Sequence, residues 1–446
     1  VSAAYFCQDA FLNQLGVSPT FNLLTSVMDD MRPENKYLHL MDEQEAITKA
    51  QALLNRPGDA NVSPLAVYRR AAKADSVQQR RPNVVLIMME SMSAEFMKHF
   101  GQSETLTPFL DSLYTRSISF RNFYSAGIHT NHGLYATLYS FPAMMKRNLM
   151  KGSVIPRYSG LPTVLKENGY YNLFFMTHEG QYDNMNAFFR TNGYDEVFSQ
   201  EDYPADKVVN SFGVQDDFLY DYAIPVLNQR AATGQPFFAT LLSISNHPPY
   251  VIPPFFHPKT SEPETQIVEY ADWALRQFFE EARKQPWFDN TIFVLEGDHG
   301  KLVGDAECEL PESYNHIPLM IYSNRIQPEE KTAFGGQVDI QPTILGLLNI
   351  DYLQNNFGVD LLKEERPCMF YTADNMVVGR NDTLLYLYNY ETQQELTYDI
   401  GNGKLNAVPM DDSFLPLKEY SFSMLQSAEF LVKHGKTLNS IPFTQQ

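Results

Sequence analysis

Cysteine is scarce in this sequence, with three residues in 446, at positions 7, 308 and 368. Three cysteines cannot close a disulfide framework, although one pair, such as Cys308 with Cys368, stays open. Their spacing excludes a metal site of the cysteine-pair type. A hydrophobic content of 44%, with 13% aromatic residues, is nevertheless ample for a sizeable core.

Basic residues are also few, 34 against 53 acidic ones, which gives a formal net charge of −19. This charge excludes nucleic acid as a partner, because phosphate backbones are bound by basic surfaces. It also argues against docking on anionic lipid by charge alone. If such a protein acts on a phosphate ester, a cation in the site must offset the local repulsion.

Long apolar runs are missing too. No run approaches 18 residues, so we expect no membrane-spanning segment within this sequence. The sequence starts at Val1 rather than at Met and has no signal-peptide pattern. We therefore expect a fragment or a processed form of a longer protein.

Strand and helix patterns alternate from Asn83 onward, which predicts an α/β fold with a mostly parallel sheet. The chain is long enough for one large α/β domain with appendages, or for two to three ordinary domains. The clearest helix patterns lie at 107–114, 159–169, 267–284 and 337–348. After residue 366, short strands predict a small antiparallel sheet, followed by a last helix at about 414–433.

We divide the chain into three parts. Residues 1–80 carry helical spacing at 21–28 and 42–54, with Asp42 as the expected cap of the second helix. This part is a helical connecting arm or, equally, a packed N-terminal subdomain. We expect residues 81–365 to form the main α/β domain, and residues 366–446 to form a subdomain of β-sheet plus helix that packs on it.

Four apolar runs end in a carboxylate or an imidazole: 83–90 at Glu90, 171–178 at His178, 236–247 at His247, and 291–295 just before Gly297-Asp298-His299. The carboxyl ends of parallel strands form the ligand-binding edge of an open α/β sheet. Asp298 beside His299 offers the oxygen and imidazole ligands that suit a divalent cation. The alternative is a turn after a core strand, with His299 as its cap. Four such endings in one chain favour a functional edge.

Thr130 follows a loop of small residues and precedes an apolar helix pattern. A threonine at a helix start is usually an N-cap. The same position also favours an incoming phosphate, because free backbone N–H groups and the helix dipole point there. A hydroxyl needs activation to attack at neutral pH, and a divalent cation supplies it. We therefore expect Glu90, Asp298 and His299 to hold one cation, with Thr130 as its fourth ligand and the nucleophile.

Six motifs lie in a fixed order: Asn83–Glu90 with Ser91, Thr107-Pro-Phe-Leu-Asp111, Asn122-Phe-Tyr before Thr130, Gly297-Asp-His299, Gly335–Ile344 and Asn356–Asp360. Together they resemble the lipoteichoic acid synthase branch of the sulfatase/alkaline phosphatase superfamily. The resemblance covers residues 83–362. It implies the alkaline-phosphatase/sulfatase-like fold, a three-layer α/β/α arrangement with a mostly parallel central sheet, beside the small C-terminal antiparallel sheet.

The resemblance also implies an activity, that of a phosphoglycerol transferase. Thr130 attacks the phosphodiester of a glycerophospholipid such as phosphatidylglycerol, diacylglycerol leaves, and the phosphoglycerol group passes from threonine to a glycan or glycolipid acceptor. The implied metal is one Mn²⁺ on Glu90, Thr130, Asp298 and His299, with Zn²⁺ or Mg²⁺ as alternatives. The family is anchored to the bacterial inner membrane by N-terminal helices, which implies an extracytoplasmic catalytic domain and a membrane link outside this sequence.

The predicted substrate-binding residues are five: His247, His132, His178, Asp183 and His316. In the family, the residue matching His247 contacts the phosphate or the glycerol. His132 either faces the pocket or caps and packs the helix. His316 precedes a strand rather than ending one, which weakens a role at the same edge unless its loop folds over the site.

The segment 178–186 departs from the family pattern. The synthases carry a Trp and an Arg there that help to bind glycerol phosphate, whereas Asp183 and Met185 stand at the matching positions. The phosphate-clamping Arg is therefore missing or supplied elsewhere, and the head group stays open. Another phospholipid, a glucan-type acceptor or simple hydrolysis are the alternatives.

Three other functions compete with the transferase. A sulfatase needs a Cys or Ser that is converted to formylglycine, within a Cys/Ser-x-Pro-x-Arg context, and the segment Thr130-Asn-His-Gly-Leu has neither Pro nor Arg at those positions. A two-metal phosphodiesterase or phosphatase needs more ligands, which His178, Asp183, His247 and His316 would have to supply. A non-catalytic module on a degenerate fold is disfavoured, because all four expected metal positions hold competent ligands.

Overall fold

A computed structural model describes residues 37–56, 59, 61, 65, 67–69, 81–152 and 154–438. The helix expected at 21–28 lies outside the described residues. Fifteen strands are described: β1 (Val67–Arg69), β2 (Asn83–Met89), β3 (Ile118–Tyr124), β4 (Tyr171–Met176), β5 (Glu196–Phe198), β6 (Phe237–Leu242), β7 (Thr291–Gly297), β8 (Leu319–Tyr322), β9 (Glu329–Gly336), β10 (Tyr352–Gln354), β11 (Met369–Thr372), β12 (Met376–Arg380), β13 (Leu384–Asn389), β14 (Gln394–Asp399) and β15 (Asn406–Ala407).

The α-helices of the described residues are α1 (Glu43–Leu54), α2 (Pro108–Tyr114), α3 (Thr130–Tyr139), α4 (Leu161–Glu167), α5 (Met185–Thr191), α6 (Asp216–Ala232), α7 (Pro263–Ala282), α8 (Ile340–Leu347) and α9 (Leu415–Lys433). The helices predicted from the sequence patterns are present, with ends that differ by a few residues. The Asp42 carboxylate accepts hydrogen bonds from two amides of the first turn of α1, so the predicted cap is confirmed.

The central sheet has eight strands in the order β5-β4-β6-β2-β7-β8-β3-β9. Strand β2 is parallel to both β6 and β7, and β8 runs antiparallel to its neighbours β7 and β3. All seven residues of β2 are buried, as expected for a continuous apolar run covered on both faces. The predicted mostly parallel sheet is therefore confirmed. Its antiparallel strand, β8, begins at the edge of the sheet where β7 ends.

Helices cover both faces of this sheet. Along β2, Val85 and Ile87 pack with residues of α2, α6 and α7, whereas Val84 and Leu86 pack with residues of α3, α4 and α8. This alternation follows from the two-residue period of a strand. The result is the predicted three-layer α/β/α arrangement.

The small sheet has five antiparallel strands, β11 to β15, and lies beside the central sheet. Tyr371 of β11 stacks on Tyr124 of β3 with ring centroids 5.3 Å apart. The other face packs on α9, which shares an apolar cluster with Ala50 and Leu54 of α1. The amide of Leu38, in the segment before α1, donates to Glu429 of α9. The described part of the N-terminal arm is thus packed, and the domain boundaries themselves stay a prediction.

Strand β6 is shorter than the apolar run 236–247 predicted. It ends at Leu242. The Ser243 amide still donates to the Met88 carbonyl of β2, but the two amides after it leave the ladder. The amides of Ile244 and Ser245 both donate to the buried carboxylate of Asp216. His247 therefore lies five residues beyond the strand, in a loop, and the expectation that it closes the strand is wrong.

Two further expectations concern the chain as a whole. Within the described residues, no helix combines the length and the apolar character that a membrane span requires. The thiols of Cys308 and Cys368 are both free, so the pair left open by the sequence is not a disulfide.

Candidate active site

Glu90 is the first residue after β2, and its side chain is almost completely buried. The hydroxyl of Ser91 donates to Glu90 Oε1 at 2.6 Å. The backbone amide of Glu90 donates to the hydroxyl of Ser243, after β6, at 3.0 Å. The Ser91 hydroxyl thus orients the Glu90 carboxylate, and the residue after the neighbouring strand β6 holds the Glu90 backbone.

Asp298 and His299 follow β7 and lie next to Glu90, because β7 pairs with β2 in parallel register. Asp298 Oδ1 accepts two backbone hydrogen bonds, from Ser91 at 2.8 Å and from His299 at 2.7 Å. Asp298 Oδ2 is buried and has no hydrogen-bond partner. His299 Nδ1 donates to the Gly300 carbonyl at 2.8 Å, which leaves the lone pair of Nε2 free.

The three side chains converge. His299 Nε2 lies 3.8 Å from Glu90 Oε1 and 3.7 Å from Asp298 Oδ2. One ligand atom of each residue lies within 4.8 Å of the others, and no second group of this kind exists among the residues described. Burial, together with the charge of Asp298, raises the pKa of Glu90 well above its usual value.

The donor set fits a divalent cation. Two carboxylates and one imidazole nitrogen are ligands that Mn²⁺, Zn²⁺ and Mg²⁺ accept to different degrees. The buried Asp298 oxygen without a partner is costly unless something compensates its charge. A cation between the three side chains would supply that partner.

Thr130 is the first residue of α3, and the preceding His129 has an extended backbone. Thr130 Oγ1 lies 3.5 Å from Glu90 Oε2. Helix α3 can approach this closely because residue 133 is glycine, since a Cβ there would lie 2.2 Å from the Asp298 carbonyl oxygen. The structure thus brings together Glu90, Thr130, Asp298 and His299.

Gln337 was not singled out by the sequence analysis, although it lies in the 335–344 motif. Its side-chain nitrogen donates to the Gly297 carbonyl at 3.1 Å and to the Asp298 carbonyl at 2.7 Å. Its side-chain oxygen accepts from the amide of Ala126, in the loop before Thr130, at 2.8 Å. One buried amide therefore ties the end of β7 to the loop that carries the hydroxyl.

Asn246 and Lys301 were also missed. Asn246 donates to the carbonyls of Glu90 and Ser91, at 3.1 and 3.0 Å. Lys301 donates to Asn246 Oδ1 at 2.6 Å and to the hydroxyl of Tyr250 at 3.2 Å. Burial lowers the pKa of Lys301 to about 8. No sequence pattern distinguishes either residue, because both act through long-range contacts.

His178 and His247 belong to one ring cluster. The ring of His178 lies 4.6 Å from that of Tyr182, Tyr182 lies 6.2 Å from Phe212, and Phe212 lies 4.0 Å from His247. Burial lowers the pKa of His178 to about 4, so its ring is neutral near pH 7. Both histidines remain predicted substrate-binding residues, with Tyr182 and Phe212 between them.

Asp183 lies next to the helix start of α3. Its carboxylate accepts from Asn131, the neighbour of Thr130, at 3.4 Å and pairs with Lys151 at 2.7 Å. The Lys151 ammonium group therefore lies beside Asp183, close to the start of α3. The substrate-binding role of Asp183 stays a prediction.

The ring nitrogens of His132 and His316 are enclosed within the protein. His132 is fully buried, with no partner for either ring nitrogen, and burial lowers its pKa to about 3. Both ring nitrogens of His316 have acceptors, the Glu95 carboxylate and the Arg121 carbonyl, each at 2.8 Å. Both ring nitrogens of His316 are thus engaged within the protein, and the substrate-binding roles of His132 and His316 stay predictions.

The comparison with known proteins identifies the family to which this chain belongs. A family model described as Sulfatase matches residues 82–350, which is more than half of the chain. The chain belongs to the sulfatase family. Among curated relatives, it is 24% identical over 315 residues to lipoteichoic acid synthase 2 of Bacillus subtilis, covering 64% of this chain and 47% of the relative. It is 23% identical over 374 residues to the lipoteichoic acid synthase of Staphylococcus aureus, covering 74% and 54%.

Solved structures agree with this family and with the predicted fold. A protein of the alkaline phosphatase superfamily from Vibrio parahaemolyticus superposes with a TM-score of 0.79 at 26% identity, over 90% of this chain and 98% of that one. The lipoteichoic acid synthase LtaP of Listeria monocytogenes superposes with a TM-score of 0.69 at 21% identity, over 79% and 93%. This sulfatase-family chain spans about half the length of the curated relatives that it matches.

Proposed function

We propose that this sulfatase-family chain is the catalytic part of a metal-dependent phosphoglycerol transferase. Thr130 is the nucleophile, a glycerophospholipid such as phosphatidylglycerol is the donor, and a glycan or glycolipid hydroxyl is the acceptor. The observation that carries the proposal is the hydroxyl of Thr130, 3.5 Å from a buried carboxylate of the only metal-type cluster among the described residues.

The cluster supports a cation-assisted attack. Glu90, Asp298 and His299 would hold the ion together with Thr130, and a divalent ion bound there stabilises an ionised hydroxyl and a negatively charged phosphate. We favour Mn²⁺ because it is the metal that the resemblance to the lipoteichoic acid synthase branch implies, and the curated relatives belong to that branch. Zn²⁺ and Mg²⁺ remain alternatives for the same ligands.

The chain itself supplies position and charge. Thr130 Oγ1 releases its proton and forms a bond to phosphorus while the bond from phosphorus to the diacylglycerol oxygen breaks, and the leaving oxygen takes up a proton. The acceptor oxygen then releases its proton and bonds to phosphorus, the bond from phosphorus to Thr130 Oγ1 breaks, and Oγ1 takes up a proton. The N-terminus of α3 favours the anionic phosphate in both steps. His178 and His247 are proposed to contact the substrate.

The proposed donor and the proposed location of the reaction follow from the similarity to the curated relatives. Those proteins are lipoteichoic acid synthases, so we assign this chain a phospholipid donor and a cell-envelope acceptor. We further propose that the reaction occurs on the extracytoplasmic side of a bacterial membrane, with a membrane anchor outside this sequence. The proposed units are an arm at 1–80, a catalytic domain at 81–365 and a subdomain at 366–446.

Mass spectrometry tests the nucleophile directly. The protein is loaded with Mn²⁺, incubated with phosphatidylglycerol, quenched in acid and digested. We expect a phosphoglycerol adduct on the peptide that contains Thr130. The Thr130→Ala variant should lose the adduct and lower turnover by about 10³-fold or more, because the covalent route is closed.

Two controls sharpen this test. Thr233→Ala changes an exposed threonine after α6 and should leave the adduct intact. Thr130→Ser keeps a hydroxyl and should retain part of the labelling. Full turnover by Thr130→Ala would contradict the proposal. Turnover without an acceptor, with free glycerol phosphate as the product, would instead assign the same site to a phosphodiesterase.

A further inference from the structure

Exposed apolar side chains surround one edge of the central sheet. Tyr182, Val209, Phe255 and Leu302 have exposed fractions of 43%, 44%, 57% and 40%. They lie in the loops that follow β4, β5, β6 and β7, respectively. These strands are parallel members of one sheet, so the four loops lie at the edge that also carries Glu90, Asp298 and His299. We call these four residues the apolar rim.

Ring contacts and hydrogen bonds connect the loops of the apolar rim. Tyr182 contacts Phe212, which lines one small cavity together with Val209 and His247. The loop of His247 continues to Tyr250, whose hydroxyl accepts from Lys301, the neighbour of Leu302. The same loop carries exposed Pro248, Pro249 and Pro254 before Phe255. The loops that carry the apolar rim are therefore linked to one another on the side of the protein that holds the candidate site.

We propose that the apolar rim docks this protein on the surface of a lipid bilayer, so that the candidate site meets the phosphodiester of a lipid still held in the bilayer. Several exposed apolar side chains on the same side of a protein as its candidate site indicate an interaction surface there. The phosphodiester of a membrane lipid lies just above the acyl chains, at the depth that shallowly inserted apolar side chains reach. The choice of bilayer as partner rests on the proposed function.

The negative charge of the protein favours contact with a bilayer of neutral lipids. The loops of the apolar rim carry exposed carboxylates, among them Glu262, Asp305 and Glu307, and the whole chain has a formal net charge of −19. Attraction to anionic lipid therefore contributes little, and insertion of apolar side chains must supply the affinity. A zwitterionic bilayer isolates that contribution.

Co-sedimentation with phosphatidylcholine vesicles tests the docking without any turnover. We expect the full chain to bind, and the double variant Phe255→Ser, Leu302→Ser to partition about tenfold more weakly, because two apolar side chains no longer enter the bilayer. The matched control is Leu53→Ser with Leu415→Ser, at positions on α1 and α9 that are 42% and 43% exposed. This control should bind like the unchanged chain.

Tryptophan fluorescence gives a second readout. The ring of Trp273 lies 5.7 Å from that of Phe255, whereas Trp287 is buried in the core. Brominated phosphatidylcholine should quench Trp273, and the quenching should persist in a Trp287→Phe variant. Quenching that disappears in that variant would overturn the proposed orientation.

Three further results would overturn the docking: no vesicle binding by the full chain, equal losses in the rim and control variants, or a dimer in solution that the rim variant abolishes. The last would assign the surface to a second copy of the chain. A short-chain phosphatidylglycerol dissolved below its micelle concentration separates docking from chemistry. Its turnover should be unchanged in the rim variant, and a loss there would also count against docking. If no phospholipid is turned over but the rim still binds vesicles, the proposed function fails and the docking stands.

Discussion

Gln337 donates its side-chain amide to the backbone carbonyl of Asp298 at 2.7 Å. Through its oxygen, the same amide holds Ala126 in the loop before Thr130. The distance between the candidate nucleophile and the candidate metal ligands thus depends on a residue that touches neither substrate nor metal. Gln337 is a positioning residue, and its effects should differ from those of a residue that only stabilises the core.

The first prediction concerns Gln337→Ala. The change leaves the buried Ala126 amide without an acceptor and removes the donor to two carbonyls, which should cost about 3 kcal/mol of unfolding free energy. Because Asp298 is also released, Mn²⁺ affinity should fall about 10- to 100-fold, as for other residues that orient metal ligands. Urea unfolding and metal titration by calorimetry measure the two effects.

Gln341→Ala is the matched control for this variant. Gln341 lies one turn further along and is equally buried, but its oxygen accepts from Ser140 and Asn356 instead. The control should lose stability and keep its metal affinity. A comparable loss of affinity in both variants would mean that Gln337 acts through general stability alone.

The second prediction concerns metal binding and Asp298. Ligand binding to the folded state alone raises stability by about 2.7 kcal/mol at a hundredfold excess over the dissociation constant. Thermal unfolding should therefore shift upward by several degrees with Mn²⁺. Asp298→Asn should abolish the shift. It should also stabilise the metal-free protein, because Asn keeps the oxygen that accepts from Ser91 and His299 and removes a buried charge.

Asp305→Asn is the control for charge, since Asp305 is exposed in the loop after β7. That variant should keep the full Mn²⁺ shift. An unchanged shift in Asp298→Asn would remove Asp298 from the ligand set.

The site residues that could be predicted from the sequence are those that directly follow the buried parallel strands. Continuous apolar runs identified β2 and β7 as buried strands, and parallel strands deliver their following residues to one edge. Glu90 and Asp298 were therefore expected to meet, and the structure has them in contact through Ser91. The fold class followed from the same alternation of strands and helices.

The rest depends on contacts between residues that are distant in sequence. The apolar run up to His247 gave no sign that Asp216 would accept from the amides of Ile244 and Ser245, just beyond the end of β6 at Leu242. Likewise, His316 precedes a strand, and only the antiparallel direction of β8 brings that start to the functional edge. A single buried amide such as Gln337 has no periodicity at all, so no pattern could reveal its role.

The third prediction concerns the buried pair of Arg366 and Asp339, which connects the segment before β11 to the start of α8. Arg366 also donates to the hydroxyl of Tyr420 and to the Phe357 carbonyl, each at 2.6 Å. Arg366→Met leaves a buried carboxylate without its cation and should cost about 3–5 kcal/mol. Urea unfolding measures the loss, and the double variant with Asp339→Asn should lose less than the sum of the single changes.

An exposed pair provides the comparison for Arg366. Arg276 pairs with Glu280 one turn along α7, and both side chains are largely in solvent. Arg276→Met should change stability by less than about 0.5 kcal/mol. If the two arginine variants lost similar amounts, burial would not be the reason for the cost.

The fourth prediction concerns the pH dependence of stability at His316. Burial alone would lower the pKa of His316, but the hydrogen bond and charge of Glu95, with the charge of Glu312, raise it above its usual value. A histidine whose pKa is higher in the folded state contributes stability that is complete below its unfolded pKa of about 6.5 and is lost as pH rises through the folded value. His316→Gln should therefore lower the free energy of unfolding by about 2 kcal/mol at pH 6, where a charged hydrogen bond is lost, and by clearly less at pH 9.

Urea unfolding at both pH values measures this difference. The control is His39→Gln, which changes an exposed histidine. A cost that is equal at both pH values would mean that the His316 ring is neutral in the folded protein and that Glu95 does not hold its proton.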